Sequence, residues 1–232
     1  MIRLRVKAAS GKGAAKEGGS MYDTIFFDLD GTLTDSAPGI LNAVRFALES
    51  AGMPVPPEGE LMRFIGPPLT TELQAAFGLG GEEAAALVRQ FQVYFKKDGI
   101  FENRVYDGVP DMLERLLASG RRAAVTTSKP EPFARTILEH FGLSQYFTAI
   151  VGSALDEKTR ATKAEVVAQA LTLLAPERAL LVGDRCHDVE GAHANGLPCL
   201  GVLYGYGSRE ELSEAEYIAE SVEALSDMLA AL

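Results

Sequence analysis

Two aspartates stand two residues apart at Asp28 and Asp30, and two more stand four apart at Asp184 and Asp188. Each pair follows a short apolar run, Thr24-Ile-Phe-Phe27 and Ala179-Leu-Leu-Val182. A carboxylate can attack as a nucleophile, move a proton, or bind a cation. Acids gathered at one edge repel each other unless a hard divalent cation sits among them, and Mg2+ prefers oxygen ligands of this kind. Simpler readings exist: Asp30-Gly31 as a strand-end turn, and Asp184 or Asp188 as a helix cap. The Gly183-Asp184-x-x-x-Asp188 spacing after an apolar strand favours a metal. Thr127, Ser128 and Lys129 stand at the end of another apolar run, and Lys163 opens a helical stretch. Thr127-Ser128 could also cap a helix before Pro130. Lys163 could be a solvated helix residue, with Lys158 as its rival.

These residues need elements that bring them together. Thr24–Phe27 reads as a buried strand, and the next comparable strand, Arg122-Ala-Ala-Val-Thr-Thr127, comes roughly 90 residues later, far more than a βαβ crossover requires. The intervening stretch is helical. Ile40, Leu41, Val44 and Leu48 make one apolar stripe, ended by Gly52 and Pro54; Leu87, Val88, Phe91, Tyr94 and Phe95 make another. Arg63-Phe-Ile-Gly-Pro-Pro68 forms a stiff turn between them. The spacing predicts a helical subdomain over 37–104, with 21–36 and 105–232 forming the core.

After Asp107-Gly108 the pattern alternates. Helix Val109–Leu117 leads to strand Arg122–Thr127, and helix Phe133–Phe141 to strand Phe147–Val151. Helix Val166–Leu174 leads to strand Ala179–Gly183, helix Val189–Asn195 to strand Pro198–Val202, and a last helix carries Val222, Leu225, Met228 and Leu229. Strands alternating with helices predict an α/β fold with a parallel sheet covered on both faces. Ligands in such sheets sit at the carboxyl ends of strands, where Asp28, Asp30, Thr32, Asp35, Thr127, Ser128, Asp184 and Asp188 all fall.

Asp28-Leu-Asp-Gly-Thr-Leu-Thr-Asp35 at a strand end resembles the first signature of the haloacid-dehalogenase-like hydrolase superfamily. Thr127 or Ser128, then Lys163, then Gly183-Asp184-Arg-Cys-His-Asp188 follow in the family's order. The likeness covers nearly the whole chain from Tyr22. Thr127-Ser-Lys-Pro130 and Gly205-Tyr-Gly207 are similar to the phosphoglycolate-phosphatase-like branch. The resemblance implies a Rossmann-like, doubly wound parallel sheet with an inserted α-helical cap, and an enzyme hydrolysing small phosphomonoesters. It makes Asp28 the nucleophile and Asp30 the general acid and base. Asp28, the Asp30 carbonyl, Asp184 and Asp188 are expected around Mg2+, with Thr127, Ser128 and Lys163 at the phosphoryl oxygens. 2-Phosphoglycolate is the expected substrate, with a nucleoside 5′-monophosphate next and a sugar phosphomutase reaction behind both. Dehalogenation is disfavoured because Asp30 serves phosphoryl transfer, and a non-catalytic module because all four acidic and basic signatures are retained. Arg63 or Gly66 is a candidate for tuning substrate choice from the cap.

Composition narrows the partners. The 232 residues carry a net charge of −10, and residues 1–20 hold five basic residues and one acid. The remainder is therefore more acidic still and repels nucleic-acid backbones and anionic membranes. Residues 1–20, rich in Gly, Ala and Lys, read as a flexible tail or an over-long start. Two cysteines, Cys186 and Cys199, make no disulfide framework, and no apolar run approaches ~20 residues. A cytoplasmic location is the expectation. Cys186, His187 and His193 are too few for a zinc site and read as bystanders.

Overall fold

Thr24, Ile25, Phe26 and Phe27 are all fully buried, as expected of a strand covered on both faces. The computed structural model describes residues 22–156 and 159–232; the readings of residues 1–20 as a tail and of Lys158 as a phosphate ligand fall outside them. In chain order the elements are β1 (Thr24–Phe27), β2 (Thr34–Asp35), α1 (Ala37–Ser50), α2 (Glu58–Leu61), α3 (Leu69–Phe77), α4 (Gly81–Tyr94), β3 (Arg104–Val105), α5 (Val109–Ala118), β4 (Arg122–Pro130), α6 (Glu131–His140), β5 (Ala149–Ser153), α7 (Lys163–Leu174), β6 (Ala179–Gly183), α8 (Cys186–Ala194), β7 (Cys199–Val202), β8 (Tyr217–Ala219) and α9 (Val222–Ala231).

Six strands form one sheet in the order β5-β4-β1-β6-β7-β8. All their pairings are parallel, with Thr24 opposite Arg122 on one side and Ala179 on the other. The fold is α/β with a doubly wound parallel sheet. Strand alternation distributes the core. Ile25, Phe27, Val125 and Val182 pack with residues of α5, α6 and α9. Phe26, Ala124 and Leu181 pack with residues of α7 and α8 on the other face. The chain runs outward from β1 through β4 to β5, then crosses to β6 on the far side, so β1 and its neighbours form the switch point where such folds bind ligands.

The helices between β2 and β3 pack through the predicted stripe, with Ile40, Leu41, Val44 and Leu48 at most 6% exposed. Four helices occur there rather than the two strongest ones, joined by a 3-10 turn at Met62–Phe64 and followed by a π-turn at Phe95–Gly99. β2 and β3 pair antiparallel, Thr34 with Val105 and Asp35 with Arg104. This ribbon connects the helical insertion to the sheet.

Lys163 opens α7 as expected, whereas several other boundaries differ from the sequence expectation. α7 begins at Lys163 because Thr162 caps it: Thr162 Oγ1 accepts from Glu165 N, and Glu165 Oε2 accepts from Thr162 N. α8 begins at Cys186, three residues early, because Asp188 Oδ2 accepts from Arg185 N at 3.1 Å. β4 continues to Pro130, with a register shift between Thr127 and Pro130. Pro130 precedes α6 without a side-chain cap, so Thr127 and Ser128 do not cap that helix.

Candidate active site

Asp28 extends β1 by one residue, its N–H donating to Val182 O at 2.8 Å. A tight turn follows in which Leu29 O accepts from Leu33 N and Thr34 N. Gly31 turns the corner at φ +84°, and a Cβ there would collide with the Asp184 carboxylate. Gly205 approaches the same carboxylate as closely. Only glycine allows both loops to close on Asp184.

Asp28, Asp184 and Asp188 each place a carboxylate oxygen within 4.8 Å of the others, and all three are buried. Lys163 Nζ stands against this group, 2.6 Å from Asp28 Oδ1 and 2.7 Å from Asp188 Oδ1. It also donates to Thr126 O at 2.8 Å. Asp184 accepts from Tyr206 N at 2.7 Å and from Thr32 Oγ1 at 3.4 Å.

One ammonium does not balance three buried carboxylates. Burial, opposed by Lys163 and reinforced by the charge of Asp188, raises the Asp28 carboxyl from 3.8 to about 6. Burial, with Asp188 and Asp28 adding repulsion, lifts Asp184 well above the carboxylate range. Burial works against the Lys163 ammonium, but Asp188 and Asp28 outweigh it and hold the charge. An all-oxygen, excess-negative donor set of this kind fits a hard divalent cation.

Asp30 lies outside this trio. Its Oδ2 pairs with Lys129 Nζ at 2.9 Å, with the two side chains 9% and 6% exposed. Its Oδ1 is buried without a hydrogen-bond partner. Thr127 is buried, and its Oγ1 accepts from Lys129 N at 3.1 Å. Asp28, Asp30, Thr127, Ser128 and Lys129 together floor a cavity. Its roof comes from the insertion and α6, with Phe64, Val88, Phe91, Phe95 and Phe133 among the residues facing it. Gly66 reaches the cavity, whereas Arg63 turns to Glu72 at 3.0 Å.

Sequence pattern alone does not reveal several contributors. Gly205-Tyr206-Gly207 enters the sequence reading only as a likeness to one branch, with no role attached, yet Tyr206 grips Asp184 through its N–H, and its phenol donates to Asp35 Oδ1 at 3.0 Å. The two flanking glycines are the available signal. Arg185 Nη1 donates to Ile65 O of the insertion, and Nε pairs with Glu211 at 3.2 Å; nothing in the motif points to that contact. Cys186, His187 and Glu190 are also close enough to share an ion, but they lie nearer the surface. His193 pairs with Glu216.

A sequence model of the haloacid dehalogenase-like hydrolases matches residues 25–202. The chain belongs to this family. It is 45% identical over 193 residues to a 5′-nucleotidase of Pseudomonas aeruginosa, covering 82% of this chain and 87% of that one. It is 44% identical over 196 residues to tyrosine-protein kinase PtkA of Mycobacterium tuberculosis, covering 83% of this chain and 66% of that protein. Relatives named phosphoglycolate phosphatase also match, at 34% identity in Yersinia pestis. In structure it overlays on a predicted phosphatase from Clostridium acetobutylicum with a TM-score of 0.88 and 44% identity, covering 92% and 100% of the two chains. As a member of this phosphatase family, the chain is a phosphoric monoester hydrolase. Among the described residues, no helix is long and apolar enough to cross a membrane.

Proposed function

We propose that the enzyme hydrolyses small phosphomonoesters through an aspartyl-phosphate on Asp28, with Mg2+ bound by Asp28, Asp184 and Asp188. The observation that carries this reading is the buried trio of carboxylates with Lys163 between two of them. The cation supplies charge neutralisation, without which an anionic nucleophile and an anionic phosphoryl group repel.

Asp28 attacks phosphorus in line, forming an acyl-phosphate bond as the ester P–O bond breaks. The electron pair leaves on the alcohol oxygen, which takes the proton carried by Asp30. Asp30, now a carboxylate, removes a proton from water. That water attacks phosphorus, the bond to Asp28 breaks, and the electron pair returns to the Asp28 carboxylate as phosphate departs. Thr127 holds a phosphoryl oxygen, while Lys163, whose three N–H groups go to Asp28, Asp188 and Thr126 O, steadies Asp28 and lends its positive charge as negative charge shifts. The aromatic roof keeps bulk water away until the insertion opens.

Of the two substrates suggested by the resemblance, the cavity favours a nucleoside 5′-monophosphate over 2-phosphoglycolate. A carboxylated alcohol needs a partner cation. Among the described residues lining the cavity, the one lysine or arginine is Lys129, already paired with Asp30. The aromatic lining of the cavity, with Phe91 only partly buried, suits a planar uncharged group instead. The 5′-nucleotidase relative supports the same choice.

Phosphate release with and without Mg2+, for wild type and Asp28→Asn, tests the route. The variant is expected to fold and bind metal yet lose turnover; retained turnover removes the covalent step. A panel of phosphorylated metabolites compared by kcat/KM decides the substrate, and a preference for 2-phosphoglycolate would reverse that ordering.

A further inference from the structure

Lys129 is a buried cation for which phosphoryl transfer at Asp28 has no evident use. It sits in the irregular end of β4, where the register shifts between Thr127 and Pro130. Irregularities of this kind re-aim side chains. The Lys129 ammonium is sandwiched: 2.9 Å from Asp30 Oδ2 on one side, and 4.8 Å from the centroid of the Phe95 ring on the other. Phe95 opens the π-turn after α4, and its ring is wedged by Phe91 at 5.2 Å and Phe133 at 5.6 Å. π-Turns inside helices are frequent at functional sites. The second oxygen of Asp30, Oδ1, is buried and without a hydrogen-bond partner.

We propose that Lys129 is a positioning residue, clamped between Phe95 of the insertion and Asp30 of the core, that holds Asp30 by Oδ2 and so fixes the orientation of the carboxyl group that exchanges the proton. The inference rests on the acid–base role proposed for Asp30. A carboxyl group can rotate about its bond to the chain, and general acid–base transfer requires the correct oxygen within hydrogen-bond reach of the proton's destination. The Lys129 pair is charge-assisted and shielded from water, which anchors one oxygen firmly. The ring over the ammonium adds an attraction that strengthens with desolvation. Because Phe95 comes from the insertion whereas Lys129 and Asp30 both belong to the core, the ring strengthens the clamp only where the insertion covers the sheet. Lys129 thus links proton transfer to the covered arrangement of the cavity it lines.

The test uses the full-length enzyme with Mg2+ and two aryl phosphates, p-nitrophenyl phosphate and phenyl phosphate, followed through the burst and the steady state. p-Nitrophenolate leaves without a proton, whereas phenolate benefits from one. Lys129→Met is expected to keep the p-nitrophenolate burst within about threefold of wild type, yet slow phenol release and the steady-state hydrolysis of the phosphoenzyme by about tenfold or more, with KM within about twofold. Phe95→Leu should give the same pattern more weakly. A loss in the burst equal for both leaving groups, or a change in KM alone, would overturn the proposal; the second outcome would make Lys129 a substrate-binding group.

A Lys129→Met chain that fails to fold does not end the test. Asp30→Asn with Lys129→Met removes both buried charges, and on the Asp30→Asn background the lysine substitution should cost less than about twofold. A further full loss there would show that Lys129 does not act through Asp30. If Asp30→Asn itself leaves phenyl phosphate turnover intact, the acid–base reading falls. If Asp30→Asn slows turnover and Lys129→Met does not, only the Lys129 inference falls.

Discussion

Lys163 carries the largest electrostatic burden of any single side chain in the site. Its ammonium touches Asp28 and Asp188 at 2.6 and 2.7 Å while only 5% of its side chain is exposed. Removing one partner of a buried pair strands the other's charge, at a cost of about 3–5 kcal/mol. Lys163→Met should therefore lower unfolding stability by that order in urea titrations of metal-free protein, and Mg2+ should recover part of the loss. If stability is unchanged, the two carboxylates are already neutral and the lysine is not their counter-charge. Asp28, Asp30, Asp184 and Asp188 stand out in the sequence because each pair follows an apolar run, whereas Lys163, by position alone a possible solvated helix residue, stands out only through the family resemblance. Lys129 was legible only as a residue at a strand end. Its partner Asp30 lies 99 positions away, and the register shift that aims its side chain has no sequence periodicity.

At the level of elements, the loop between β7 and β8 links the carboxylate trio to the ribbon beneath the insertion. Tyr206 donates its N–H to Asp184 at 2.7 Å. Its phenol donates to Asp35 Oδ1 at 3.0 Å and accepts from Ala37 N at 2.9 Å. Tyr204 reaches the first turn through Thr32 O at 2.9 Å. Tyr206→Phe removes the phenol's two hydrogen bonds but leaves the backbone grip on Asp184. Each net hydrogen bond contributes about 1 kcal/mol, more where a buried partner is left unmade. A stability loss of about 1–3 kcal/mol is expected, with Mg2+ affinity by calorimetry unchanged. A large fall in Mg2+ affinity would mean the phenol, not the amide, orders Asp184. Five strands of the core sheet could be read because they are short apolar runs, whereas the edge strand β8, only three residues long, could not. The β2–β3 ribbon could not, since two-residue strands carry no alternation, and a backbone N–H contact such as that of Tyr206 leaves no trace in residue type.

For the molecule as a whole, an enzyme with net charge −10 that concentrates three carboxylates in its interior is working against its own electrostatics. The pH dependence follows from the direction of the shifts. The folded state holds the Asp28 proton up to about 6, the unfolded chain only to 3.8. Between those values the folded state binds more protons, so its stability is greatest below about pH 4 as far as this group is concerned, and falls as pH rises through about 6. Asp184, raised for the same reasons, extends the decline upward. A divalent cation that binds only the folded, ionised trio reverses this trend. At 100 times its dissociation constant it adds about 2.7 kcal/mol, a rise of roughly 5–10 °C in Tm for a chain of this size. Melting curves across pH 4–8, with chelator and with excess Mg2+, should therefore diverge as pH increases and converge in acid. Parallel curves would mean that the trio holds no cation. Were the curves to diverge in acid instead, some other group would be the metal's ligand, and the route through Asp28 would lose its electrostatic basis.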